Sequence, residues 1–341
     1  MKCMKTTEAV GHVLCHDITR IVRGVIKDVR FHKGHIITQE DVPVLLNLGK
    51  DNIYIWENSE NMLHENDAAD VLSQICRSEY MHASSPKEGK IELTAEIDGL
   101  FIADVEKLRI VNSLGEMMIA TRASGFPVKK GDKLCGTRVI PLVIERQKMD
   151  AALEAAGSEP ILKLLPFHEK KYGLITTGNE VFHGRIKDTF SQVIVEKMGE
   201  CNCEMVAHKI LDDDKEKITT AISDMLGNGV EMILCAGGMS VDPDDITPLA
   251  IKNSGASVVS YGAPVLPGAM FLIAYTADGR PICGLPGCVM YEKRTIFDLV
   301  LPFLLADAPV TPQWLAGLGN GGLCLSCVQC TFPQCSFGKG V

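Results

Sequence analysis

The chain has 341 residues, 46% hydrophobic and 23% charged, enough for about two or three domains with buried cores. Lys and Arg number 34 against 43 Asp and Glu, a net charge of −9 that argues against a nucleic-acid backbone as partner; at 6%, aromatic residues are too few for a base-stacking platform. Asn253 to Ala277 is uncharged and long enough to span a bilayer, but its Ser, Gly and Pro residues read as two short strands around a turn, so no membrane segment is expected. Met1 to Val10 has no apolar signal-peptide core, and the expected location is cytoplasmic.

Residues 1–166 read as an α+β module with a β-rich end. Asp41 to Leu48 is a short helix and Asn52 to Trp56 a strand. Glu65 to Tyr80 places Ala69, Leu72, Ile75 and Cys76 at helical spacing. Ile91, Leu93, Ala95 and Ile97 then alternate with polar residues into the turn Asp98-Gly99, and Leu100 to Val105 resumes the strand pattern, which predicts a hairpin. Val128 to Leu134 is a second strand–turn–strand candidate.

Residues 167–306 alternate strands and helices: Tyr172–Thr177, Thr189–Met198, Met205–Leu211, Asp214–Leu226 and Glu231–Ala236. This order predicts an α/β domain, a mostly parallel sheet with helices on both faces. One of Asp212, Asp213 and Asp214 is expected to cap the following helix. Residues 307–341 are rich in Gly and Cys, carry a single charge after Ala308 (Lys339) and show no periodicity, so they read as a tail ordered, if at all, by something it binds.

In an open parallel sheet, ligands sit beyond the carboxyl ends of the strands. Four loops fall there: Thr176–Glu180, Gly237–Asp245, Pro264–Met270 and Gly284–Cys288. Glycines let a backbone approach a bulky anion, and Glu180, Asp242, Asp244 and Asp245 become useful beside a phosphate if Mg²⁺ bridges them to it. One such loop alone is an ordinary turn; four at one edge suggest a phosphorylated ligand held with Mg²⁺. His12 with His16 and His32 with His35 have ligand-like spacing without a supporting carboxylate or Cys motif, and read as surface or satisfied residues. A serine hydrolase has no G-x-S-x-G elbow in its favour.

Together these loops resemble the molybdopterin-binding domain shared by the molybdopterin molybdotransferase and molybdopterin adenylyltransferase families. The motifs are Thr177-Gly178-Asn179-Glu180-Val181, Asp188-Thr189, Gly237-Gly238-Met239-Ser240-Val241 with Asp245, Pro267-Gly268, and Gly284-Leu285-Pro286-Gly287. Asp244 to Pro248 is similar to an adenylyltransferase stretch, and Glu8 to Leu14 looks like the molybdotransferase opening. The resemblance implies a pterin site formed by Thr177, Gly178, Asp188, Gly237, Gly238, Ser240, Pro267, Gly268, Gly284, Pro286 and Gly287, with Mg²⁺ on the catalytic carboxylates Glu180 and Asp245. It implies molybdopterin or its adenylate and molybdate as substrates, AMP release, a homo-oligomer, and a molybdoenzyme apoprotein as a further partner. The alternatives are a non-catalytic pterin carrier or sensor and an adenylyltransferase. The chain departs from the family at Ala269 (a lysine there), at Asp242-Pro243 (a glycine) and at Cys288-Val289 (Asn-Pro), and its Cys-rich tail stands where the family has a C-terminal β domain.

Of thirteen cysteines, Cys324, Cys327, Cys330 and Cys335 crowd together as C-x2-C-x2-C-x4-C. Soft thiolates packed in one Gly-rich stretch suit an Fe–S cluster or Zn²⁺. The scattered others behave as small hydrophobes.

Overall fold

The structure, a computed structural model, describes residues 2–22, 26–55, 61–240, 242–243 and 245–340. Trp56, Val241 and Asp244, which figure in the sequence reading, lie outside them. The chain divides into two compact units that share no single boundary. The first takes residues 1–96, 103–122 and 130–163; the second takes 97–102, 123–129 and 164–341.

In the first unit, Glu65–Cys76 is the expected helix, ending before Tyr80 because Arg77 is already extended. Its cap is a histidine: His64 Nδ1 accepts from the Asn66 amide at 3.1 Å, while Nε2 lies 2.6 Å from the Cys15 carbonyl oxygen. The alternating residues form the strand Lys90–Ala95, within the four-stranded antiparallel sheet that also contains Met81–Ala83, Lys133–Val139 and Met117–Thr121.

The predicted hairpin at Asp98-Gly99 does not form. Ala95 is bonded to both Gly131 and Asp132, so its strand closes on that turn. Gly99–Ala103 belongs to another sheet, with Phe126–Val128 and Leu162–Pro166. Leu165 backbone lies so close to Gly99 that a Cβ would sit 3.2 Å from its carbonyl carbon. The strand also ends before Val105, because Asp104 accepts from the Lys107 amide at 3.0 Å and starts the helix Val105–Ser113. For the same reason the two strands flanking Gly131 pair in different sheets. A turn signal specifies where the chain bends and leaves the partner open.

The second unit is built on six strands. In chain order its elements are β1 (Lys171–Thr177), α1 (Asn179–Phe182), α2 (Phe190–Gly199), β2 (Glu204–Leu211), α3 (Lys215–Gly227), β3 (Met232–Ala236), α4 (Thr247–Asn253), β4 (Ser257–Tyr261), β5 (Leu272–Tyr275), β6 (Pro281–Leu285), α5 (Ile296–Leu305) and α6 (Pro312–Gly317). The sheet order is β2-β1-β3-β6-β5-β4. The β2–β1, β1–β3 and β3–β6 pairs are parallel, and β5 runs antiparallel to both β6 and β4.

Alternation along the strands builds two cores. Leu174, Leu234, Ile273 and Cys283 face one side with Ile194 and Met198 of α2 and the wholly buried α5. Ile175, Ile233, Leu272 and Ile282 face the other, under Ile218, Ala221, Ile222 and Met225 of α3 and Ala250 and Ile251 of α4. Asp214 is the cap expected within the acidic run; its carboxylate accepts from the Glu216 and Lys217 amides at 2.9 and 3.1 Å.

Residues 307–341 are no loose tail. Thr311 caps α6 by accepting from the Trp314 amide at 3.2 Å, and Val310, Leu315, Leu318 and Phe337 are buried in the core that contains α5. Thr311-Pro312 was the available signal, a cap followed by proline at the first helical position. Leu100 and Phe126 join the same core, so segments 97–102 and 123–129 are structural parts of this unit. Among the described residues, no helix is long and apolar enough to cross a membrane.

Candidate functional site

Register fixes the rim. Thr176 lies opposite Ala236 and Ala236 opposite Leu285; one residue back, Gly284 lies opposite Leu272, which faces Tyr261. The carboxyl ends of β2, β1, β3, β6 and β4 therefore share one edge of the sheet. All four sequence-predicted loops leave from it, together with the acidic turn after β2.

Two glycine bends at this edge are held by threonines. Thr247, fully buried at the start of α4, donates its hydroxyl to the Gly237 carbonyl at 3.0 Å and its amide to the Gly238 carbonyl at 3.2 Å. Its Oγ1 also lies 3.2 Å from Thr177 Oγ1 at the end of β1. With both carbonyls engaged, the peptide planes at 237 and 238 have fixed directions. Gly237 and Gly238 have φ +98° and +58°, a region that favours glycine. A Cβ at Gly237 would meet the Thr177 carbonyl, and one at Gly238 would stand 2.7 Å from Thr247 Oγ1.

The remaining bends are joined in the same way. Met239 packs against Gly284, where a Cβ would lie 2.5 Å from its sulfur. The Pro267 carbonyl accepts from the Ile296 amide at 3.2 Å, and buried Gly268 (φ +124°) lets Ile296 approach. Tyr261 OH, at the end of β4, donates to the Met239 carbonyl at 2.9 Å. Burial, then the charge of Asp245, pushes the Tyr261 phenol up, so the acid and the phenol are neighbours.

The polar residues have unequal places. Asp188, half-buried, accepts from the Ser191 amide at 3.1 Å at the start of α2 and from Thr176 Oγ1 at 3.3 Å. Thr176 Oγ1 is also 3.1 Å from His208 Nε2. Asp245 is half-buried and accepts from the Asp242 amide at 3.3 Å. Glu180, Ser240, Ala269 and Gly287 are exposed, whereas Pro286 is buried. Asp213 accepts from the Asn179 amide at 3.0 Å, tying the turn after β2 to the loop after β1.

Sequence reasoning missed His208, Tyr261 and the pinning role of Thr247. Thr247 lay within a quoted motif, but its hydroxyl partner is seventy positions upstream. Nothing in sequence marked His208 or Tyr261 apart from other strand residues.

Among the described residues no group of three or more His, Cys, Asp or Glu forms a ready set of metal ligands. His35 instead pairs with Asp41 at 2.7 Å. Glu180 and Asp245, in loops leaving adjacent strands, offer hard oxygen donors from two carboxylates. That donor set fits Mg²⁺, which takes one or two carboxylates and completes its shell with phosphate oxygens and water.

Comparison with known proteins bears on this rim. Residues 173–306 match a family described as "Probable molybdopterin binding domain", and residues 3–57 match a domain of unknown function. The chain is 25% identical over 207 residues to the molybdopterin molybdenumtransferase of Synechococcus elongatus, covering 57% of this chain and 49% of that protein. It is 28% identical over 92 residues to the molybdopterin adenylyltransferase of Pyrococcus furiosus, covering 27% and 54%. It is 34% identical over 85 residues to a CinA-like protein of Thermosipho melanesiensis, covering 25% and 21%. The chain thus spans about half the length of the first two relatives.

Proposed function

We propose, from the premise that residues 173–306 are a molybdopterin-binding domain of the kind found in molybdenum-cofactor biosynthesis, that this chain binds molybdopterin or its adenylate at the sheet rim and inserts molybdate with release of AMP. The observation that carries this reading is the rim itself: glycine bends after β1 and β3 locked together by Thr177 and Thr247, with Glu180 and Asp245 on the same two loops.

In this reading, amides at Gly237, Gly238 and Ser240 receive phosphate oxygens, and their fixed peptide planes mean little reorganisation as charge develops. Glu180 and Asp245 are the residues that would hold Mg²⁺, which would supply Lewis-acid polarisation of the pyrophosphate and offset charge on the departing AMP. Asp188 is held by Ser191 and Thr176 and orients the start of α2 beside the pterin.

One observation favours a second reading, a pterin carrier without turnover. Ala269 is exposed where the molybdotransferases place a lysine, and exposed Asp242 adds negative charge where they have a glycine. Both changes reduce attraction for molybdate more than for a pterin ring. The test is to incubate the protein with adenylylated molybdopterin, molybdate and Mg²⁺, then measure AMP and protein-bound molybdenum. Both products support the transferase. Tight pterin binding without AMP supports the carrier, and ATP-dependent adenylylation of molybdopterin supports adenylyl transfer.

A further inference from the structure

The four closely spaced cysteines have a common setting distinct from the glycine bends after β1 and β3. Cys324, Cys327, Cys330 and Cys335 all line one cavity of about 330 Å³, with Lys293 and Arg294 from the loop after β6 in its wall. All four are free thiols; Cys327 and Cys330 are exposed, and Cys324 and Cys335 are half-buried. The four residues line one space, and their side chains are not drawn together as a ready ligand set. Three cysteines spaced two residues apart, with a fourth close by on the same cavity, make the kind of four-thiolate set that an iron–sulfur cluster takes.

A four-thiolate cluster is anionic; Lys293 and Arg294 line the cavity together with Glu292, and Arg294 is paired with Asp298 at 2.8 Å. Lys293 Nζ donates to the Val328 carbonyl at 3.3 Å, between Cys327 and Cys330. The Arg294 guanidinium lies 5.3 Å above the Phe332 ring, between Cys330 and Cys335. Leu325 and Val328 also line the cavity and are 71% and 99% exposed. Ser326 has φ +48°, which turns the backbone between the first two cysteines.

We propose that residues 324–335 hold an iron–sulfur cluster in this cavity, ligated by the thiolates of Cys324, Cys327, Cys330 and Cys335. On assembly each thiol gives its proton to solvent as an Fe–S bond forms, and a preformed cluster passes intact from an external thiolate-ligated donor, whose thiolates take up protons in exchange, so no iron changes oxidation state. The Cys324 amide donates to the Leu266 carbonyl at 2.8 Å and the Leu266 amide to Gly322 at 2.9 Å, so the first ligand is bound to the Pro267-Gly268 bend.

The test uses the full chain, purified without oxygen or reconstituted anaerobically with ferrous and ferric iron in equal amounts and sulfide. The expected result is iron and acid-labile sulfide in equal amounts, about two or four of each per chain, with broad visible absorption. A Cys327→Ala/Cys330→Ala variant loses both, while its metal-free form melts with the metal-free parent because these two side chains are exposed. Iron and sulfide at background, zinc as the only bound metal, or undiminished iron in the variant overturns the proposal.

Discussion

Thr177 and Thr247 touch hydroxyl to hydroxyl at 3.2 Å, joining the bend after β1 to the helix that follows the bend after β3. Thr247→Val keeps the shape but leaves the Gly237 carbonyl and the Thr177 hydroxyl unpaired in a buried place. The expected loss is about 1–3 kcal/mol of stability in denaturant titration. If the rim holds a pterin as proposed, pterin affinity, read by fluorescence, falls as well, because the peptide planes at 237 and 238 lose their anchor.

Glycine positions separate by what surrounds them. Gly237→Ala meets both a left-handed backbone and the Thr177 carbonyl, and should cost roughly 3 kcal/mol or more. Gly279, with φ +86° and open space, should cost about 1–2 kcal/mol on substitution by alanine. Equal losses in thermal melts would contradict the close approach at the rim.

Asp298 provides a buried electrostatic test. It accepts from Lys197 at 2.8 Å and from Arg294 at 2.8 Å, and also closes the capping box of α5 with Thr295. Asp298→Ala leaves the nearly buried Lys197 ammonium without its partner and should cost about 3–5 kcal/mol. Asp298→Asn should lose less, since an amide oxygen can still accept.

Acid should weaken the first unit. Burial pushes the His64 imidazole below its usual range, and His16 shifts the same way for the same cause. A histidine whose folded pKa is depressed binds its proton more readily when unfolded. Stability is therefore full above the unfolded value near 6.5 and falls as pH drops toward the lowered folded value. For His64 the reason is visible: Nδ1 accepts from Asn66, and protonation removes that acceptor. Denaturant midpoints between pH 7 and 5 should decline, and His64→Gln should flatten the slope at some loss of stability near pH 7.

If the rim works as proposed, Glu180→Gln and Asp245→Asn each reduce Mg²⁺-dependent AMP release by tenfold or more, on the order expected for losing one charge-stabilising group. Glu180 is exposed, so its variant should melt like the parent. Asp245→Asn should soften the 242–245 turn slightly, since its carboxylate accepts from Asp242.

Sequence carried the α/β unit well because its signals are local: the periodic buried face of α3, the unbroken apolar run of β3 and the cap at Asp214 all depend on neighbours a few positions away. The convergence of the four loops followed from parallel order alone. What escaped was long-range pairing. Lys90–Ala95 and Gly99–Ala103 look like one hairpin, yet their partners are selected by packing far along the chain. Tyr261 and His208 gained their places through partners more than twenty positions distant, which composition and spacing do not encode.

The interleaved path of the chain has a practical outcome. A cut at any one peptide between residues 96 and 164 strands material that the other unit requires, since Leu100 and Phe126 fill the interior beneath α5 while Val111 and Ile119 are buried in the stretches that return. The α/β unit of this protein is therefore not a detachable cassette, and attempts to transplant it must carry along two short strands from deep inside the preceding sequence.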